Sequence, residues 1–195
     1  MSLEQKIKTA TEIEKDQCVS VIVLAFASDP GVRWMYPDPH QYLENFPRFV
    51  RAFGGRAFEH GTAQYVDRFL AAALWLPPGI QPDEEALAAL IEKSVPANQR
   101  ESLFTLFEQM SGYHPHEPHW HLPLIGTDPI HRGKGYGSAL LRHTLAVCDR
   151  QQALAYLEAT SPMSVPLYRR HGFEVLGTIQ VGTSPPIVPM LRKPR

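Results

Sequence analysis

Cysteine is nearly missing from this 195-residue chain, which holds only Cys18 and Cys148. Two thiols cannot build a disulfide framework, and both sit in helix-like apolar patterns. That points to buried free thiols and a reducing compartment, the cytoplasm. A surplus of either charge is also missing: 19 basic residues face 20 acidic ones. Nucleic-acid binders usually carry a basic excess, so no nucleic-acid partner is expected. The longest apolar run, Val21 to Ala27, is too short to span a bilayer. Met1 to Lys6 lacks the basic-then-apolar order of a signal peptide, so no membrane partner is expected either. Internal repeats and dividing linkers are absent, leaving one domain over 1–195 with a sizeable core.

Within those bounds the chain alternates strands and helices. Lys6 to Ala10 reads as a first strand. Thr11 to Ala27 reads as a helix, with Ile13, Val21, Leu24 and Ala25 as core candidates. Ser28-Asp29-Pro30-Gly31 ends it by turn chemistry, leaving Trp34, Met35 and Tyr36 in a loop closed by Pro37 and Pro39. A second helix is expected over about Gln41 to Glu59, with Pro47 near its first turn or at a kink. Thr62 to Asp67 and Phe69 to Leu76 read as strands, the second apolar enough to be central and covered on both faces. Helices are expected over about Pro82 to Lys93 and Ala97 to Met110, then a proline- and histidine-rich connection to Pro118. His119 to Thr127 is a long strand and Ser138 to Asp149 a helix. Ala153 to Thr160 is a strand, and Val165 to His171 a short helix. Gly172 to Val181 and Ile187 to Leu191 close the chain as strands in a possible hairpin. The unit from His119 to Thr160 reads as a right-handed crossover between parallel strands. The fold class is therefore α/β, or α+β by another count, with a mixed central sheet and helices on both faces.

The most informative segment is Arg132-Gly133-Lys134-Gly135-Tyr136-Gly137. Glycines here let the backbone turn tightly and let a ligand approach the main chain. The first N–H groups of the following helix have no partner inside it and carry partial positive charge. Together these features bind phosphate or pyrophosphate. The spacing is not that of a phosphate-loop nucleotidase, which needs Gly-x-x-x-x-Gly-Lys-Ser/Thr. Nor does it match the Gly-x-Gly-x-x-Gly dinucleotide fingerprint. What remains is Arg-x-x-Gly-x-Gly, and about thirty residues on a strand and short helix end in Tyr168, Gly172 and Phe173.

This pairing resembles the GNAT acetyltransferase superfamily. From about His114 onward, Glu117-Pro118-His119-Trp120, the glycine loop to Ser138 and Leu157-Glu158-Ala159-Thr160 are similar to puromycin N-acetyltransferases. The first half matches only in element order and in Trp75-Leu76-Pro77-Pro78-Gly79. The resemblance implies a sheet of about six to seven strands, an acceptor-side half over 1–112 and an acetyl-CoA-binding half over 113–195. It implies acetyl-CoA as the acetyl donor, a small amine acceptor, direct attack without an acetyl-enzyme, and a monomer or homodimer. The expected cofactor contacts are Ile125, Gly126 and Thr127 at the strand end, then Arg132, Gly133, Lys134, Gly135, Tyr136, Gly137 and Ser138. Ser164 stands where many members carry a longer asparagine that reaches the pantetheine arm.

Tyr168 is the candidate acid: a phenol remains protonated at neutral pH and can donate to a departing thiolate. It could instead pack on the core and hydrogen-bond the sulfur. For the base, two candidates stand side by side. Glu158 lies mid-strand, where an acid needs a partner or a role. His121 shares a strand face with His119 and falls where some arylalkylamine acetyltransferases place a proton-relaying histidine. The cluster His114, His116, His119 and His121 is interrupted by prolines and has loose spacing, so no metal is expected. Trp34, Tyr36 and Trp75 are the candidate acceptor contacts. A sensor of the same fold that binds acyl-CoA without turnover, or an enzyme acting on peptide N-termini, would share most of these features.

Overall fold

The computed structural model describes residues 6–195; the reading of Met1 to Gln5 as no signal peptide lies outside them. In chain order the elements are β1 (Ile7–Thr9), α1 (Lys15–Phe26), α2 (Pro30–Met35), α3 (Pro39–Gly54), α4 (Arg56–Glu59), β2 (Ala63–Val66), β3 (Ala71–Leu76), α5 (Glu84–Ser94) and α6 (Ala97–Ser111). Then come β4 (His119–Thr127), α7 (Tyr136–Arg150), β5 (Leu154–Ala159), α8 (Val165–Arg170), β6 (Glu174–Val175) and β7 (Val188–Arg192). Among the described residues, seven strands form one sheet in the order β1-β2-β3-β4-β5-β7-β6. Every pairing is antiparallel except β4 with β5. The mixed sheet and the parallel crossover are as the sequence implies.

Strand alternation divides the core into two layers. On β3, Ala72, Leu74 and Leu76 join the cluster beneath α1, α3, α5 and α6. Ala71, Ala73 and Trp75 point the other way, to Leu140, Leu141 and Cys148 of α7. Both cysteines are buried and unbridged, and burial pushes each thiol up to about 12.

Three expectations need correction. Trp34 and Met35 belong to a helix and not to a loop: Asp29 caps it by accepting from the Val32 N–H at 3.1 Å, and Pro30 starts it. The long second helix is two, broken at Gly54-Gly55, and Pro47 lies inside α3 well past its first turn. Ile13 and Leu24 are 86% and 53% exposed, so neither is core. The early turn at Thr11 to Glu14 is a capped 3-10 segment that rotates Ile13 outward.

Candidate active site

The site begins where two strands separate. β4 and β5 pair at His119 with Leu154, Trp120 with Ala155 and His121 with Tyr156, and not beyond. From Leu124 to Thr127, β4 is paired only with β3, and Leu122 and Pro123 have no partner in the register. Successive amides of a strand point to opposite sides, so alternate N–H groups between Leu122 and Thr127 face the open slot. The register between β3 and β4 shifts between Leu74 and Leu76, and Pro123 lies in the bulged stretch. Pro123 inside the strand is the signal in the sequence for this bulge.

A cavity of about 590 Å³ fills the slot, and Ile125, Gly126 and Thr127 line it. A Cβ on Gly126 would lie 2.6 Å from the Cβ of Ala25 on α1. The glycine therefore serves helix-to-strand approach, a reason that spacing alone did not suggest.

The glycine loop closes the same cavity. Gly133 and Gly135 have φ of 77° and 84°, left-handed values that favour glycine, and Gly135 is the residue from which α7 starts. The α7 amides of Tyr136, Gly137 and Ser138 lie within the first turn, without intrahelical acceptors. All three residues line the cavity, with Arg132, Gly133 and Gly135. The Arg132 guanidinium donates to the Ala25 carbonyl at 2.6 Å, tying the loop to the end of α1. Lys134 contacts His131 Nδ1 at 3.0 Å. The first-turn amides and open glycine backbone, with Arg132 beside them, fit the diphosphate of coenzyme A; Lys134 is not among the residues that line the cavity.

Tyr168 reaches the cavity from α8, with its hydroxyl beside Ser164. Burial pushes its phenol above the ordinary range, and the nearby Asp29 adds to that, so it stays protonated. Asp29 accepts from Thr160 Oγ1 at 2.6 Å, and burial raises its pKa against the hydrogen bonds that it receives. Asp29 and Thr160 both line the cavity, although neither is a site candidate on sequence grounds. The Asp-Pro pair at 29–30 was a cap signal that read as a turn. Ser164 donates to the Ser161 carbonyl at 2.7 Å and also lines the cavity.

Glu158 is a buried carboxylate on the cavity lining. Its side chain is 3% exposed; His121 Nε2 lies in hydrogen-bond contact with Oε2 at 3.0 Å, while His114 Nε2 approaches Oε1 at 3.2 Å and leaves that oxygen without a hydrogen-bond partner. Burial acts to raise its pKa, but the charge of His121 and the close imidazoles of His114 and His121 outweigh it and hold the group well below the carboxylate range. The two candidate bases are thus partners in one cluster. His114 arrives from the loop after α6, a contact that no strand register could foretell. The donor atoms of His114, His121 and Glu158 lie within 4.8 Å of one another, close enough to surround one metal ion. Here both imidazoles approach the carboxylate, and the two rings meet edge-on with centroids 4.7 Å apart.

One wall of the cavity is apolar, formed by Phe26, Trp34, Phe49, Phe53, Leu103 and Phe107. Trp34 is held by bonds from Gln99 to its carbonyl and from its indole N–H to Thr183 Oγ1. Tyr36 and Trp75 are not on this wall. Tyr36 is 1% exposed and bonds Ser94, while Trp75 packs edge-on to Trp120 in the layer under α7. Alternation along β3 turns Trp75 to the far face of the sheet. Among the described residues, no helix is long and apolar enough to cross a membrane.

Residues 72–173 match the model of the Acetyltransferase (GNAT) family. The chain is similar to a Corynebacterium glutamicum protein described as histone acetyltransferase HPA2 and related acetyltransferase, at 26% identity. That match has a TM-score of 0.72 and covers 99% of this chain and 98% of the other. A Drosophila melanogaster polyamine N-acetyltransferase superposes with a TM-score of 0.70 at 15% identity, over 97% and 100% of the two chains. Arylalkylamine N-acetyltransferase 2 of Aedes aegypti gives 0.70 at 13% identity, over 99% and 100%. These last two show the fold.

Proposed function

The chain belongs to the GNAT acetyltransferase family, and from that premise we propose that it acetylates a small primary amine with an apolar or aromatic body. Attack is direct, within a ternary complex. One observation carries this reading: a single cavity joins the glycine loop, the slot between β4 and β5, Tyr168 and Glu158. Residues 113–195 supply the donor side and residues 1–112 most of the acceptor wall. The buried, unbridged cysteines suit a reducing cytoplasm.

When bound, acetyl-CoA supplies an electrophilic thioester carbonyl. The slot-facing amides of β4 would stabilise negative charge on the carbonyl oxygen, a contribution of roughly 3–4 kcal/mol per donor where removal has been measured. The Tyr168 hydroxyl would donate to the departing sulfur. Glu158, with His121 behind it and off the cavity lining, would hold the amine and take its proton. The acceptor is a monoamine because the cavity offers few anionic contacts: Asp29 is engaged with Thr160 and the cap of α2, which leaves Glu158. An arylalkylamine suits this wall better than the polyamine of the Drosophila neighbour. An aminonucleoside such as puromycin, suggested by the similar segments after His114, belongs in the same test.

Thiol release from acetyl-CoA across phenethylamine, puromycin, spermidine, agmatine and short peptides tests the reading. The expected order of kcat/KM puts aromatic monoamines first. Binding of acetyl-CoA with no amine-dependent release would favour a sensor instead.

A further inference from the structure

We propose that His114, His121 and Glu158 form a binding site for a divalent cation of the zinc type, and that the bound cation shuts off amine acetylation. The site needs only these side chains; the shut-off rests on the acetyltransferase reading. The spacing of the histidines alone argues against a metal, but spacing along one segment cannot count a ligand from another strand. His114 lies in the loop after α6, His121 on β4 and Glu158 on β5. Only the folded sheet, with His121 beside Tyr156 in the β4–β5 register, brings the three together.

The donor atoms already lie at the right spacing. All are within 4.8 Å of one another, with His121 Nε2 at 3.0 Å from Glu158 Oε2 and His114 Nε2 at 3.2 Å from Oε1. Ligands held about 2.0–2.2 Å from a tetrahedral zinc sit roughly 3.3–3.5 Å apart, so small rotations close the set around one ion. Two further observations point into the gap. Glu158 Oε1 is buried with no hydrogen-bond partner among the described residues, and an ionised oxygen out of water needs a compensating charge. The hydrogens of the outer histidines also suit a metal. His119 Nδ1 lies 2.8 Å from the Glu117 carbonyl oxygen, which can only accept, so this nitrogen carries a hydrogen. A neutral His119 then turns its Nε2 lone pair to His114 Nδ1 at 3.1 Å. His114 must donate there, and a neutral His114 turns its own Nε2 lone pair towards Oε1. Two lone pairs face each other, and a cation between them makes both of them ligands. His119 is the outer partner that orients the His114 ring for this.

Two imidazoles and one carboxylate select zinc and its transition-metal neighbours, whereas magnesium and calcium prefer oxygen ligands throughout. His121 Nδ1 is buried with no acceptor among the described residues. That ring lacks the outer partner that His114 has, which costs about 10–100-fold in affinity. The site is therefore micromolar, filled and emptied with the supply of the ion. Glu158, alone of the three, lines the cavity. With neutral imidazoles, a dication turns the negative charge of the carboxylate into a net positive one. The filled site repels an incoming ammonium and withholds the group that would take its proton. Amine and cation exclude each other.

The test begins with binding and no turnover. Calorimetry on the full chain, freed of metal by a chelator, should show one zinc site and no heat from magnesium or calcium. His114→Phe keeps a ring against Tyr156, 4.3 Å away, but offers no ligand, and should weaken zinc binding by more than about 100-fold. Glu158→Gln, of the same shape, should weaken it as well, and His116→Ala, exposed and outside the cluster, should match the wild type. With the best amine, zinc should inhibit competitively against the amine and not against acetyl-CoA. A chelator should restore the rate, and His114→Phe should resist the ion. Acetylated amine is measured by mass spectrometry, because zinc binds free thiols. Absence of zinc binding leaves the gap to a proton and overturns the proposal. Binding that both His114→Phe and Glu158→Gln retain, or that His116→Ala loses, also overturns it. Loss of wild-type activity in chelator overturns the shut-off, since the ion would then be required. If no amine is acetylated, the enzymatic reading fails, while one zinc site lost in His114→Phe still upholds the cation site.

Discussion

Gly126→Ala separates a packing role from a cofactor role at one atom. The new methyl carbon would sit 2.6 Å from the Cβ of Ala25 and 3.4 Å from the Cα of Ile22. Ordinary carbon contacts are about 3.5–4.0 Å, so α1 must retreat by roughly 1 Å. Overpacking of this kind costs about 1–3 kcal/mol. In a domain of this size each kcal/mol lowers Tm by roughly 2–4 °C. The retreat would also pull on the Ala25 carbonyl that anchors Arg132 at 2.6 Å. The expected result is a lower Tm together with a raised KM for acetyl-CoA and an unchanged amine KM. Ala25→Gly removes the opposing methyl, so the double variant should recover part of the Tm even though glycine in a helix costs about 1 kcal/mol. Thermal unfolding and thiol-release kinetics on the four proteins complete the cycle. A raised KM with unchanged Tm in Gly126→Ala would refute the packing argument and leave cofactor approach as the reason for the glycine.

Tyr168→Phe should lower kcat far more than it raises the acetyl-CoA KM; an unchanged kcat removes the hydroxyl from the reaction. Trp75→Phe should lower Tm without altering the order of amine preference, because the ring lies in the layer under α7; a changed preference order would contradict that placement. Burial lowers the proton affinity of His119 and His171. Below about pH 6.5 the unfolded chain therefore binds more protons at these sites, so their contribution to stability falls as pH drops from 7 to 5. Glu158 behaves differently: its depressed pKa keeps its contribution intact at pH 5, and that part is lost only as pH falls from about 4.5 towards about 2. A Tm that rises on acidification from pH 7 to 5 would contradict the histidine assignment.

What the residues revealed in advance was local. The strand His119–Thr127 was readable because apolar residues run between a proline-rich stretch and the Asp128-Pro129 turn. The loop and α7 followed from glycine spacing and a helical stripe. What escaped depended on distant neighbours. Alternation shows that Trp75 and Leu76 point to opposite sides, but not which side the helices leave hollow. Glu158 and His121 were seen as rivals because sequence cannot set the register between β4 and β5 that joins them. His114, in a loop with no periodicity, gave no sign of reaching Glu158. Trp34 and Tyr36 looked alike in one short segment, yet a helix there rotates the first to the cavity and the second to Ser94.

Pro123 brings one more consequence. A proline nitrogen carries no hydrogen, and the bulge around it offsets β4 from any even ladder. Were the empty slot tempted to zip shut against β5, it would find a missing rung at the start of the seam. The crevice is thus propped ajar by covalent chemistry, and an incoming thioester need not pry two strands apart before it can lie down between them.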